Sequence, residues 1–201
     1  MKFFVNFLSS FRIFASFAII ATLMSGMYMT TLILFILAAL SDLFDGYLAR
    51  KYNACTKVGM VLDSVADKFL VVNTFILLCI MMPVWFVVIP IIIMIARELY
   101  VSGLREFMGT QKMDAPHASS SRFSLGKIKA FLQMVAIISF LALFVLGAAA
   151  GGATNGKYIL YAIYALPNIG IFCLWFGLVA SIWSAYTYTL DVTKKFKKSK
   201  K

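Results

Sequence analysis

Acidic residues are scarce in this chain: eight in 201, against nineteen lysines and arginines, so that charged residues of both signs make up only 13%. Soluble domains carry about 25% charged and 45–50% apolar residues, whereas this chain is 62% hydrophobic with a mean hydropathy of +0.91. That balance excludes a soluble enzyme, a secreted disulfide scaffold and a disordered tail protein. Histidine occurs once, at His117 in the polar stretch 109–124, and reads as a solvated bystander. Three cysteines (Cys55, Cys79, Cys173) are too few and too scattered for a disulfide framework or a zinc site, and read as apolar packing residues. A net charge of +11 would suit nucleic acid if the chain were soluble. Here the basic residues punctuate apolar runs, so anionic lipid headgroups are the expected partner and no nucleic acid is expected.

What the chain has in abundance is long hydrophobic runs, at about 13–30, 31–49, 59–82, 83–107, 125–150 and 158–188. A segment crossing lipid must satisfy its own backbone hydrogen bonds, so each run is expected to be helical. Pro83 suits a turn between the third and fourth runs, and AAAGGATN (148–155) a connector between the fifth and sixth. The fold expected is all-α: an integral membrane bundle of six transmembrane helices. Residues 2–13 (KFFVNFLSSFRI) read as a short amphipathic helix on the membrane surface ahead of them. A cleaved signal peptide is the rival reading of residues 2–24, but Arg12 interrupts the apolar run and no clear small-x-small site follows. One membrane domain over 1–190 and a basic cytoplasmic tail over 191–201 are expected. Six spans with a cytoplasmic N-terminus put three basic groups inside. These are Arg50, Lys51 and Lys57; Arg105, Lys112, Arg122, Lys127 and Lys129; and the terminal KKFKKSKK. Only Lys157 falls outside, which makes both termini cytoplasmic.

Half of the acidic residues, Asp42, Asp45, Asp63 and Asp67, lie where the second run ends and the third begins. Carboxylates at bilayer depth cost several kcal/mol each and need a reason. Asp42 and Asp45 share one helix face at i, i+3, and Asp63 and Asp67 another at i, i+4. A short link between the two helices lets both pairs face one cleft. Four such groups repel unless cations neutralise them. Oxygen donors without imidazole or thiolate favour magnesium or manganese, and four carboxylates suffice for two divalent ions. Paired metals clamp the attacking and leaving oxygens of a phosphoryl displacement. Small residues at Gly46, Ala49 and Gly59 leave room for a ligand against the backbone, and Arg50 can hold a diphosphate bidentately. Buried ion pairs with Lys68, Arg50 or Arg97 would need only one or two aspartates. A divalent-cation transporter would need polar residues continuing across the membrane.

The spacing Asp42-x2-Asp45-Gly46-x2-Ala49-Arg50-x8-Gly59-x3-Asp63-x3-Asp67 resembles, at every fixed position, the signature of the CDP-alcohol phosphatidyltransferases. The resemblance implies a six-helix membrane enzyme, usually a homodimer. Such an enzyme transfers a phosphatidyl group from CDP-diacylglycerol to an alcohol and releases CMP. It further implies that the four aspartates hold two divalent cations, Mg2+ or Mn2+, and that Asp67 is also the general base. Gly46, Ala49 and Gly59 would then line the cytidine pocket, with Arg50 on the diphosphate. The site would lie at the cytoplasmic face of a bacterial inner membrane.

The motif does not choose the alcohol. Ala96-Arg97-Glu98, Val101 to Glu106, and Leu125 to Lys129 with Gln133-Met134 resemble the corresponding parts of the family's bacterial phosphatidylglycerophosphate synthases, as does Asn6-x-Leu8-Ser9-x2-Arg12. Those enzymes use glycerol 3-phosphate. Two departures stand out: Ser64 where a proline is common, and a longer, Ser- and Pro-rich 109–124 loop. Arg97 and Arg105 lie about 80° apart on a helical wheel and can face one cavity. Arg97, deep in an apolar run, needs an anion, which an ion pair with Glu98, Glu106 or an aspartate would also supply. Lys127 and Lys129 point to nearly opposite sides of a helix, so one of the two is expected at the acceptor phosphate with Arg97 and Arg105. Inositol phosphate, serine and phosphatidylglycerol are the alternative acceptors.

Overall fold

Six helices follow one another: α1 (Lys2–Met24), α2 (Tyr28–Lys51), α3 (Lys57–Met81), α4 (Trp85–Thr110), α5 (Ser120–Ala150) and α6 (Lys157–Ser199). This computed structural model describes the backbone of residues 2–51, 57–110, 120–150 and 157–199, and the side chains of 10–41, 65–66, 68–110, 128–149 and 161–196. Among the described residues there is no strand, so the all-α expectation holds. Three described stretches are long and apolar enough to cross a membrane: Trp85–Thr110, Ile128–Ala149 and Tyr161–Phe196. The apolar stretches Ser10–Met24, Tyr28–Ser41 and Lys68–Met81 of α1 to α3 are shorter.

Several boundaries differ from the sequence reading: α4 runs to Thr110 and α5 begins at Ser120, both inside the stretch 109–124 read as a loop, and α6 continues to Ser199, past the apolar run 158–188. The first two apolar runs divide at residues 25–27, not near residue 30. Gly26, at φ 74°, takes the left-handed conformation that closes a helix. Gly26 N–H donates to Leu23 O at 3.1 Å and Met27 N–H to Thr22 O at 2.9 Å, which satisfies the last carbonyls of α1. Hydropathy alone does not register this stop, because Met24 and Met27 on either side are apolar. The segment expected as a separate surface helix, 2–13, is continuous with the rest of α1. No proline or glycine interrupts it. Pro83 sits in the 82–84 turn between α3 and α4 as expected.

Side-chain pairings fix the direction of the helices. Thr31 of α2 donates to Thr22 of α1 across the Gly26 turn, 2.9 Å apart. Lys68 of α3 meets Ser102 of α4, while the chain turns at Pro83 between them. Gln133 of α5 meets Met94 of α4, and Lys129 meets Glu98, so α5 runs against α4. Contacts between α4 and α6 instead climb together. Phe86 accepts from Trp175, Arg97 donates to Ser181, Tyr100 bonds Thr189 and Phe107 stacks on Phe196. Helices α3 to α6 therefore alternate in direction and α4 lies parallel to α6. The common core is apolar, with Phe35, Phe75, Phe140, Ile19, Leu78 and Ile137 among its fully buried side chains. As a result, the C-terminal half of α4, the N-terminal parts of α3 and α5 and the C-terminal half of α6 share one end of the bundle.

Candidate active site

At that shared end lies a cavity of about 280 Å³ between α3, α4, α5 and α6. Leu70, Val71, Phe75, Met94 and Ile95 form its apolar floor, and among the described residues its charged lining is Lys68, Arg97, Glu98, Arg105 and Lys129. Among those residues, four cations surround a small space with one carboxylate. Arg97 and Lys129 are largely buried there, whereas Arg105 is exposed at the rim, and buried charges are tolerated only when paired or when they meet a ligand of opposite sign.

Each cation is held in a particular way. Arg97 donates from Nε to the Ser181 carbonyl at 2.9 Å and from Nη1 to Glu98 Oε2 at 2.9 Å. Its side chain is 12% exposed. The ion pair with Glu98 raised by the sequence therefore forms, and Arg97 lines the cavity as well. Arg105 lies over the Tyr188 ring, 5.8 Å from its centroid, within cation–π range. Lys129 is buried and donates to the same Glu98 oxygen. Lys68 donates to Ser102 Oγ at 2.7 Å, and Ser102 in turn donates to the Glu98 carbonyl at 2.8 Å. Of the two lysines on α5, Lys129 reaches the cavity; the side chain of Lys127 lies outside the described residues.

Three of the four expected acceptor-phosphate residues, Arg97, Arg105 and Lys129, are thus brought together. The aspartate motif falls on the last turns of α2 and the first turns of α3. The side chains of Asp42, Asp45, Asp63 and Asp67 lie outside the described residues, as do those of Gly46, Ala49, Arg50 and Gly59. Lys68, directly after Asp67 in the chain, lines the cavity. His117 also lies outside the described residues. Two cavity residues escaped the sequence reading in their actual roles. Lys68 reads there only as a partner for an aspartate, and Glu98 only as a partner for Arg97. The signal for Glu98 was an acid within an apolar run, one residue from Arg97 and with Lys129 on the next run. Arg12 of α1, the last residue of the Asn6-x-Leu8-Ser9-x2-Arg12 pattern, is also fully buried.

A chain that is helical or turn throughout its described residues, with an aspartate motif whose last member directly precedes a cavity-lining lysine, belongs to a defined class. The sequence profile of the CDP-alcohol phosphatidyltransferases matches residues 3–183, and this chain is a member of that family. It is similar to the CDP-diacylglycerol–glycerol-3-phosphate 3-phosphatidyltransferase of Rickettsia bellii, with 39% identity over 164 residues covering 82% of this chain and 79% of that protein. The enzyme of the same name from Rickettsia typhi is 38% identical over 156 residues, covering 78% of this chain and 76% of its own length. A shorter match, 41% over 109 residues, joins 54% of this chain to 58% of the Salmonella choleraesuis enzyme of that name. The chain is therefore a phosphatidyltransferase, and its long apolar helices make it a membrane protein.

Proposed function

We propose that this enzyme transfers the phosphatidyl group of CDP-diacylglycerol to glycerol 3-phosphate, giving phosphatidylglycerophosphate and CMP for phospholipid synthesis. The observation that carries the choice of acceptor is the cavity lined by Lys68, Arg97, Arg105 and Lys129, with Glu98 the one carboxylate among its described lining residues. Its charge suits a phosphate dianion. Its size, about 280 Å³, is small beside the roughly 300–1,000 Å³ of drug-sized ligand sites and suits a small polar alcohol. The names of the Rickettsia relatives support the same acceptor. Serine and phosphatidylglycerol offer no terminal phosphate dianion to four cations. Inositol phosphate does, and it remains the competing acceptor to test.

The chemistry follows from the residues. The acyl chains of the donor stay in the bilayer, which holds its diphosphate at headgroup level. Arg50 binds that diphosphate, and Gly46, Ala49 and Gly59 admit the cytidine against the helix backbones. Asp42, Asp45, Asp63 and Asp67 form an all-oxygen donor set that suits two Mg2+ or Mn2+ ions, in keeping with a divalent-cation-dependent family. Those ions would offset charge developing on the departing CMP. Arg97, Arg105 and Lys129 hold the acceptor phosphate, while Lys127, on the other side of α5, meets lipid headgroups. This leaves the acceptor's free hydroxyl to face the motif. Asp67 takes the hydroxyl proton as the oxygen attacks the β-phosphorus, the one carrying diacylglycerol. An aspartate is a weak base at neutral pH, so positioning supplies much of the acceleration.

Six spans place this site at the cytoplasmic face of a bacterial inner membrane, with both termini cytoplasmic and residues 1–190 as one domain. The basic tail, 191–201, meets anionic lipid, and the enzyme works as a homodimer. The deciding experiment supplies labelled CDP-diacylglycerol and a panel of acceptors to the purified protein. CMP release with glycerol 3-phosphate and not with inositol phosphate, serine or phosphatidylglycerol is the expected result. Equal turnover of a neutral alcohol would sink the assignment, and metal flux into proteoliposomes without CMP release would point to transport.

A further inference from the structure

We propose that Glu98 is a positioning residue for the acceptor: it holds Lys129 in place across the helix interface and yields it to the incoming phosphate. This rests on the reading of the cavity as the acceptor site. Three observations lead to it. First, one carboxylate oxygen, Oε2, accepts from both Arg97 Nη1 on its own helix and Lys129 Nζ on α5. Secondly, the two cations are anchored unequally. Arg97 keeps a second bond to the Ser181 carbonyl on α6, whereas the hydrogen bond to Glu98 is the described anchor of Lys129. Thirdly, the Glu98 side chain is 31% exposed, against 12% for Arg97 and 9% for Lys129. The anion is thus the more solvated member of the group.

Four cations around one small cavity repel one another, and a lysine on a flexible stem is the first to swing away. Glu98 balances part of that charge and fixes the Lys129 ammonium toward Arg97. A phosphate dianion entering between them offers Lys129 more charge and more acceptor oxygens than the shared carboxylate does. Arg97 stays where Ser181 holds it. Lys129 then exchanges Glu98 for phosphate, and the partly exposed carboxylate turns toward water. Through Ser102, the main chain of the same residue also fixes Lys68. Glu98 therefore orders cations on three helices without touching the substrate.

The test uses the full-length enzyme in mixed micelles with CDP-diacylglycerol, glycerol 3-phosphate and inorganic phosphate as competitor. Glu98→Gln removes the competing charge while keeping shape. It should make phosphate a tighter inhibitor by roughly three- to tenfold, the size expected of a partly exposed charge-assisted bond. The same variant should lower kcat, because Lys129 is no longer aligned, and leave the donor KM unchanged. In a Lys129→Gln background, Glu98→Gln should no longer tighten phosphate inhibition. A merely structural role predicts a loss of folded enzyme with phosphate inhibition unmoved, and that result overturns the proposal. So does a tightening of equal size with and without Lys129. If Glu98→Gln does not fold, Glu98→Asp carries the test. Its carboxylate, one methylene shorter, draws back from Lys129 on α5, so phosphate should again inhibit more tightly than in the wild type. Failure of phosphate and glycerol 3-phosphate to compete in the wild-type enzyme would instead overturn the acceptor reading itself, whatever Glu98 does.

Discussion

Arg105 and Arg97 carry the same charge into one cavity, yet their surroundings give them different work. Arg97 is tied to a backbone carbonyl and a carboxylate, so truncating it disturbs structure and binding together. Arg105 rests on the Tyr188 ring, which leaves its guanidinium fork able to meet a phosphate. Arg105→Ala should therefore raise the acceptor KM, or lower kcat/KM, by roughly 10²-fold, as expected for a charge-assisted hydrogen bond of about 1.5–3 kcal/mol. The donor KM should change far less. Arg105→Lys should recover only part of the loss, because it keeps charge without the planar fork. Steady-state kinetics with each substrate varied in turn checks this, and equal weakening of donor and acceptor would reassign Arg105 to structure. Asp67→Asn addresses the motif. It should reduce transfer by 10²–10⁴-fold, the usual contribution of a general base, while expression and membrane insertion stay normal. Retention of more than about a tenth of the activity would remove Asp67 from that role.

Among the helices, α5 and α6 pack most extensively, and glycine explains part of their closeness. A Cβ built on Gly170 would lie 2.8 Å from Cζ of Phe140, a ring with no exposed surface. Membrane helices gain stability by such close approach, since lipid offers no hydrophobic drive to bring them together. Gly170→Ala should cost about 1–3 kcal/mol through overpacking and lower the thermal midpoint of the purified enzyme. Gly147→Ala on α5 meets open space and should leave the midpoint unchanged or raised. Thermal unfolding followed by circular dichroism distinguishes the two. An equal effect at both positions would mean that helix contact at Gly170 is not what matters. The elements were legible in the sequence because apolar runs and polar connectors alternate. The α1–α2 boundary was misplaced because a single left-handed glycine between two methionines leaves no trace in hydropathy. The motif residues were legible because their spacing is fixed along two helix ends. Glu98 was not, because its bond to Lys129 joins residues on different helices, and only the register of α4 against α5 brings them together.

At the scale of the whole molecule, alternating helix directions turn a linear pattern of charge into a one-sided site. Lys68, Arg97, Arg105 and Lys129 come from three helices and arrive at one end because α3 and α5 run opposite to α4. Length adds a constraint: α6, with 43 residues at about 1.5 Å each, is roughly twice as long as the ~30 Å hydrocarbon layer is thick. Part of it must extend past the lipid, and its pairing of Phe196 with Phe107 continues the α4 contact beyond the cavity. The positive-inside rule then orients the assembly. Residues 111–119 should face the cytoplasm, and residues 151–156, with Lys157 as the nearby basic residue, should face outward. Single-cysteine labelling tests this once Cys55, Cys79 and Cys173 are replaced by serine. With Thr154→Cys, a membrane-impermeant maleimide should label intact cells. With Ala115→Cys, labelling should require permeabilisation. The reverse pattern would place the cation-lined cavity on the outer face, away from a cytoplasmic supply of glycerol 3-phosphate. Labelling of both positions from outside would break the alternation that brings the four cations together. The orientation and the choice of acceptor therefore stand on the same helix directions, and this experiment tests both.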